Sequence, residues 1–283
     1  MKSVSAIAAV IAWIPTISSA ACPMNMRVGT YAIDHYSATG DAGTGSDLSH
    51  QINMANQFTD RAFDIVAGYC ATATTGKTFF LNDAQVTKNH WKNLADPATT
   101  GTSEIRENTD FIFYAGHGTT TNPRKLYLGA NDATYGTVGS GDFTMGGLGG
   151  KNNRWFIAHS CAAFPRPPIA TSPQQMWKGI FRGLRAMLGF ESYIYDNWDG
   201  WGIAYHFWAN WTWNNWSIWE SFYNAEFYFG YKSLGGSGLH PGCLSGYPGD
   251  YCLESFTSTT NAPAPNINAG AYHSLVAGAP IYP

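Results

Sequence analysis

A histidine and a cysteine each stand at the end of a hydrophobic segment. His117 follows FIFYAG at residues 111–116, and Cys161 follows WFIAHS at residues 155–160. A cysteine attacks a carbonyl carbon as its thiolate, which a nearby histidine favours, and the same histidine can protonate the leaving amine. The backbone N–H groups of Gly118 and Cys161 can stabilise the oxyanion of the tetrahedral intermediate. These residues therefore predict acyl transfer through a cysteine nucleophile.

The two hydrophobic segments are the elements that must position this pair. Short apolar runs bounded by turn residues are typical of buried strands in a mostly parallel sheet. Ligands of open α/β sheets bind at the carboxyl ends of the strands. We therefore expect His117 and Cys161 to share one edge of the sheet.

The rest of the chain alternates between strand and helix patterns. We expect strands at residues 26–33, 77–81, 125–128, 189–195 and 272–276, and helices at residues 47–68, 174–188 and, as a pair, within 201–230. A capping box, Ser217 to Glu220, marks the start of the second helix of that pair. The glycine-rich stretch at residues 129–150 is long enough to be a functional loop. These patterns predict an α/β fold.

The first 21 residues have the features of a secretory signal peptide. Lys2 is followed by an apolar stretch and then by small residues up to Ala21. Pro15 and the short span argue against a membrane-spanning helix, and no later segment is long and apolar enough to cross a bilayer. We expect a secreted protein in which residues 22–283 form one domain.

Composition limits the classes of partner. There are 16 Lys and Arg residues against 19 Asp and Glu, charged residues make up 12% of the chain, and aromatic residues make up 15%. No basic surplus suggests nucleic acid as a partner. A peptide or protein substrate agrees with the chemistry above, and we expect no cofactor; the sequence does not indicate an oligomeric state.

Five cysteines remain after cleavage of the signal peptide, and an odd number leaves one unpaired in an oxidising compartment. Cys243 and Cys252 lie close together in a Gly/Pro-rich loop, so we expect a local disulfide there. Cys22 would then pair with Cys70, and Cys161 would be the free thiol. The alternative, that Cys161 is paired and another cysteine is free, stays open on spacing alone.

The two strand ends resemble those of a known group of enzymes. The segments FIFYAGHG at 111–118 and WFIAHSC at 155–161 resemble the caspase, gingipain and legumain group of cysteine peptidases. The chain is similar to a secreted branch of that group, also through Trp177 and the segment GLRAMLGF at 183–190. The resemblance implies a three-layer α/β sandwich around a mainly parallel sheet, with His117 as the catalytic histidine and Cys161 as the nucleophile. Ser160 departs from the pattern, because these peptidases often have alanine there.

His159 allows two interpretations. It precedes Cys161 by two residues, so in a strand both side chains would face the same way. His159 either enters the site or is a buried, hydrogen-bonded histidine, and the second is the commoner case. His117, His159 and Cys161 could also bind zinc, but the spacing offers no fourth ligand, so we expect no metal.

Acidic residues follow the strand after Cys161. Glu191, Asp196 and Asp199 could favour a basic substrate side chain. Solvated loop acids are the more common explanation of such residues.

The last feature is aromatic: seven of the eleven tryptophans lie between Trp198 and Trp219. Roughly helical spacing predicts that most pack in the core, whereas Trp213 and Trp216 fall outside that pattern. An exposed aromatic surface would support an alternative function, non-catalytic binding of glycan or protein by the same fold. The sequons at Asn210 and Asn215 are glycosylation candidates in the same region.

Overall fold

The structure of the protein is a computed structural model. It describes residues 26–35, 47–69, 75–86, 109–118, 125–127, 137–139, 154–161, 184–190, 194, 200–227, 241–246, 251–258 and 272–276. The predicted signal peptide, Cys22, Cys70, Trp177, Glu191, Asp196, Trp198 and Asp199 lie outside these residues.

A seven-stranded sheet organises the described part of the chain. Its strands are β1 (Met26–Ala32), β2 (Thr75–Asn82), β3 (Phe111–Ala115), β6 (Trp155–His159), β7 (Ala186–Phe190), β8 (Pro241–Gly246) and β9 (Tyr272–Val276). They lie in the order β2-β1-β3-β6-β7-β8-β9. The first five are parallel, and β8 and β9 add antiparallel pairs. β4 (Lys125–Tyr127) and β5 (Thr137–Gly139) form a separate antiparallel pair. The fold is therefore α/β with a mostly parallel sheet, as the sequence predicts.

The central strands are buried on both faces. Every residue of β3, β6 and β7 is buried, which explains why these segments are continuously hydrophobic instead of alternating. In β3, Phe111, Phe113 and Ala115 belong to one apolar cluster, whereas Ile112 and Tyr114 belong to a second. Apolar side chains therefore pack on both sides of the sheet.

Helices α1 (Gln51–Tyr69), α2 (Gly200–Thr212) and α3 (Ile218–Ala225) cover the first cluster. The carboxylate of Asp34, just beyond β1, accepts hydrogen bonds from the backbone N–H groups of Gln51 and Ile52 and so caps α1. The indole of Trp208 donates to the backbone oxygen of Phe58 at 2.9 Å, which joins α2 to α1. The predicted capping box is confirmed, because Ser217 and Glu220 exchange hydrogen bonds at the start of α3.

One predicted boundary is wrong. We expected a helix to continue through Leu188 and a strand to follow at 189–195, but β7 spans Ala186–Phe190. The N–H of Arg185 donates to the oxygen of Arg154 at 2.7 Å, so pairing with β6 begins before Ala186. A short apolar run fits a helix and a buried strand equally well, and only its neighbours β6 and β8 decide between them.

Buried charges lie at the amino-terminal edge of the sheet. Asp110 accepts from Arg27 Nε at 2.9 Å and lies 3.3 Å from Arg154 Nη2. Arg185 pairs with Glu254 at the same edge. These ion pairs stand at the opposite end of the strands from His117 and Cys161. None of the helices in the described ranges is long and apolar enough to cross a membrane.

Candidate functional site

The carboxyl ends of β3 and β6 lie side by side. Ala115 pairs with His159, the last residue of each strand, and the N–H of Gly116 donates to the oxygen of His159 at 3.2 Å. His117 and Cys161 each follow this last pair by two residues. The structure therefore places both predicted residues at the same level on neighbouring strand ends.

The turn that carries His117 is fixed on both sides. The hydroxyl of Tyr114 donates to the backbone oxygen of His117 at 2.9 Å. Gly118 forms an isolated antiparallel bridge with Leu126 in β4. His117 is half-buried.

Cys161 has a free, half-buried thiol. Its Sγ donates to the backbone oxygen of Ile194 at 3.3 Å and accepts from the N–H of Ile194 at 3.4 Å. Burial raises the pKa of the Cys161 thiol, and the N–H groups of Ile194 and of Cys161 itself oppose that rise because they stabilise the thiolate. In this arrangement the sulfur is protonated at neutral pH.

Gly118 brings the two turns into contact. A Cβ built at Gly118 would lie 2.2 Å from the backbone oxygen of Cys161 and 3.2 Å from Ser160 Oγ. Only glycine fits such an approach, which gives the glycine after His117 a packing role beside its predicted oxyanion role. Ser160 is fully buried, and its hydroxyl has no hydrogen-bond partner among the residues that the structure describes.

His159 lies in the core beneath the two turns. Its side chain is 2% exposed, and its Nε2 is 3.6 Å from Glu226 Oε1, which is also 2% exposed. Its ring stacks on Phe113 at a centroid distance of 6.1 Å and meets Phe190 edge-on at 5.5 Å. The burial agrees with the second interpretation of His159. The expected hydrogen bond does not, because Nδ1 has no partner among the described residues and Nε2 is too far from Glu226 to form one.

Of the remaining predicted residues, some are described by the structure and others are not. Cys243 and Cys252 form the expected disulfide. Asp196 and Asp199 lie outside the described residues, as does the proposed Cys22–Cys70 pair. Within the described ranges, no group of three or more His, Cys, Asp and Glu side chains could hold a metal ion.

The tryptophans divide between core and surface. Trp208, Trp211 and Trp219 are buried, as their spacing predicts. Trp201, which we expected in the core, is 48% exposed, stacks in parallel on Tyr205 and lies under the guanidinium of Arg61. Helical spacing gives the direction of a side chain around the helix axis, but not how far the neighbouring elements cover the helix. Trp201 lies just outside the covered face of α2. Trp213 and Trp216 are also exposed, at 48% and 38%.

The two sequons differ in accessibility. Asn210 is 5% exposed within α2, and its Nδ2 donates to Asn224 Oδ1 at 3.2 Å. Asn215 is exposed and follows α2, with a backbone φ of 53°. The Oδ1 of Asn215 accepts from the N–H and the hydroxyl of Thr257 at 3.0 and 2.8 Å. Its Nδ2, the atom that a glycan would modify, is not used in those bonds.

Two contributors to the site were missed by sequence reasoning. Ile194 acts through its backbone, which carries no signal in the side-chain sequence. Glu226 follows α3 and is distant from His159 in the sequence. A glutamate next to the apolar residues of an amphipathic helix could have indicated a buried partner, but not which strand it meets.

Comparison with known proteins gives a family. The profile of a domain of unknown function, DUF6345, matches residues 33–228, more than half of the chain, and this span includes both strand ends. No curated protein matches the chain.

Proposed function

We propose that this chain, which belongs to the DUF6345 family, is a secreted cysteine peptidase with Cys161 as nucleophile and His117 as general acid/base. The observation that carries the proposal is the contact between the two turns: Gly118 packs against the backbone of Cys161 so closely that only glycine fits. Active sites of α/β proteins usually lie at the carboxyl edge of the parallel sheet. Here two reactive side chains lie on adjacent turns at that edge.

The protonation state of the thiol decides how the dyad would work. Burial raises the pKa of Cys161, so the resting sulfur is a thiol that donates to Ile194 and is not a preformed thiolate. We infer that His117 removes this proton as the sulfur attacks the substrate carbonyl carbon, and then returns it to the leaving amine. Water hydrolyses the resulting thioester, with His117 again as the base.

Oxyanion stabilisation would come from backbone N–H groups. The N–H of Cys161 opposes the rise in the pKa of its own thiol, and it is the first donor in the proposal. Gly118 is the second donor in the proposal, and its bridge to Leu126 fixes its backbone. The caspase-like three-layer architecture is part of the same proposal, supported by the mostly parallel sheet and by three helices on one face.

The test is cleavage of a diverse peptide library by the wild type and by three variants. Cys161→Ala and His117→Ala should each lower the cleavage rate by at least about a thousandfold. His206→Ala is the matched control, because His206 is a half-buried histidine on α2 that packs against Tyr205, and it should retain the wild-type rate. Cleavage that survives Cys161→Ala would refute the assignment.

A second candidate function has its own supporting observation. Trp201 and Trp213 are each 48% exposed, and Tyr205 contacts both of them, in parallel with Trp201 and edge-on with Trp213. Exposed aromatic rings in a row suit the apolar faces of sugar rings, so the alternative is glycan binding without catalysis. Binding to an oligosaccharide array that Trp201→Ala and Trp213→Ala abolish, together with no peptide cleavage by the wild type, would favour this alternative.

A further inference from the structure

The buried pair of His159 and Glu226 has no role in the mechanism above. Both side chains are 2% exposed, and the ring of His159 contacts the rings of Phe113 and Phe190. Removing two ionisable groups from water is costly, and apolar side chains of the same size often stabilise a core as well or better. Stability alone therefore does not account for the pair.

The backbone around His159 shows what the pair can control. The oxygen of His159 accepts from the N–H of Gly116, the residue directly before His117. Ser160 and then Cys161 follow His159 on the other side. His159 is thus the residue where the His117 turn and the Cys161 turn are joined, and its backbone position affects both.

The side chain of His159 is held from α3. Glu226 directly follows α3, and its N–H donates to the oxygens of Phe222 and Tyr223, so the helix end fixes the backbone from which the carboxylate extends. The Nε2 to Oε1 distance of 3.6 Å is a close polar contact without a short hydrogen bond. His159 Nδ1 has no hydrogen-bond partner within the described ranges, so Glu226 is the polar group that orients the ring there.

We propose that Glu226 and His159 are positioning residues that hold the turns of His117 and Cys161 in their mutual geometry. The carboxylate fixes the imidazole, the imidazole fixes the end of β6, and the backbone of β6 fixes Gly116 and Cys161. Neither side chain touches the substrate. The expected effect of the two residues on cleavage rests on the proposed function. Their expected effect on the geometry of the turns is independent of catalysis.

Two readouts test the inference in the full-length mature protein. The first is hydrogen exchange of the Gly116 amide, which reports the bond to His159 directly. Glu226→Leu should speed this exchange by at least about tenfold, because the orientation of the ring is lost. Glu226→Gln keeps the size and a polar oxygen facing the ring, and it should restore most of the protection. The second readout is the rate of peptide cleavage. Glu226→Leu should lower this rate and Glu226→Gln should restore most of it, and the change in kcat should be larger than the change in KM.

Glu254→Gln is the matched control. Glu254 is also largely buried and paired with a cation, Arg185, but it lies at the opposite edge of the sheet. It should lower stability without changing Gly116 exchange. If Glu226→Leu and Glu226→Gln leave the protection of Gly116 at the wild-type level, the positioning role is wrong. If the wild type cleaves no peptide while Glu226→Leu still speeds the exchange of the Gly116 amide, the positioning role stands and the peptidase proposal falls.

Discussion

Gly118 lies so close to the backbone oxygen of Cys161 that a Cβ at Gly118 would be 2.2 Å from that oxygen. The contact joins the residue after the proposed acid/base to the proposed nucleophile. Real Cβ atoms do not approach a carbonyl oxygen this closely, and the atom in the way is backbone, which cannot rotate aside. One of the two turns must therefore move when glycine is replaced.

Gly118→Ala is the first prediction. The added methyl group should displace one turn and destabilise the fold by about 1–3 kcal/mol, the range for overpacking a tight site. Urea unfolding measures that cost, and peptide cleavage should fall together with it. Gly68→Ala is the control, because a Cβ at Gly68 in α1 meets nothing within 4 Å. It should stabilise the helix by about 0.5–1 kcal/mol. A Gly118→Ala protein as stable and as active as the wild type would contradict the contact.

The thiol of Cys161 gives the second prediction. Burial raises its pKa in the folded protein, and alkylation requires the thiolate. Iodoacetamide should therefore modify Cys161 more slowly in the native protein than in the urea-unfolded chain, with the native rate rising only at higher pH. Mass spectrometry of the modified peptide measures both rates. A native thiol that reacts faster than the unfolded one at pH 7 would show a preformed thiolate and contradict this prediction.

The same shift has a consequence for stability. Since the folded pKa lies above the unfolded one, the protonated thiol favours folding at a pH below the unfolded pKa, and this contribution is lost as the pH rises through the folded pKa. The stability difference between the wild type and Cys161→Ala should therefore shrink between neutral pH and pH values above the ordinary thiol pKa. A difference that is independent of pH would contradict the direction of the shift.

The sequence predicted the strand ends well because their chemistry is local. The segments before His117 and Cys161 are uninterrupted apolar runs, and such runs indicate a buried parallel strand without knowledge of the neighbours. The capping box at Ser217 is equally local, and its position was correct. The Cys243–Cys252 bond was predictable because the two residues are close in sequence.

Other features depended on tertiary partners and could not be read from the sequence. Ala186–Phe190 is a strand because β6 and β8 pair with it on either side. β8 lies in a Gly/Pro-rich stretch, whose composition hid the strand. The partner of His159 is Glu226, which is 67 residues away in the sequence, so only the tertiary fold brings the two together.

Asp110 provides the third prediction, at the edge of the sheet away from the site. It is fully buried and pairs with Arg27 and Arg154. Asp110→Asn should cost about 3–5 kcal/mol, because it leaves buried arginine charge without its counterion. Asp64→Asn is the control: Asp64 pairs with Arg61 on the surface, and such pairs contribute about 1 kcal/mol or less. If the two variants lose the same free energy of unfolding in urea, burial does not determine how much these ion pairs contribute to stability.

The two sequons give the fourth prediction. Asn215 is exposed, and the bonds from Thr257 use its Oδ1, which a glycosylated asparagine retains as an acceptor. Asn210 is buried, and its Nδ2 is already donated to Asn224. In a eukaryotic secretion host, the folded protein should therefore carry a glycan at Asn215 and none at Asn210.

Glycopeptide mass spectrometry of the wild type, with Asn215→Gln and Asn210→Gln as paired variants, identifies the occupied position. The mass should drop only in Asn215→Gln, because a glycan on Asn210 would have to displace the packing of α2 against Asn224. Occupancy of Asn210 in the folded, secreted protein would show that this part of α2 is open to solvent and would contradict its burial.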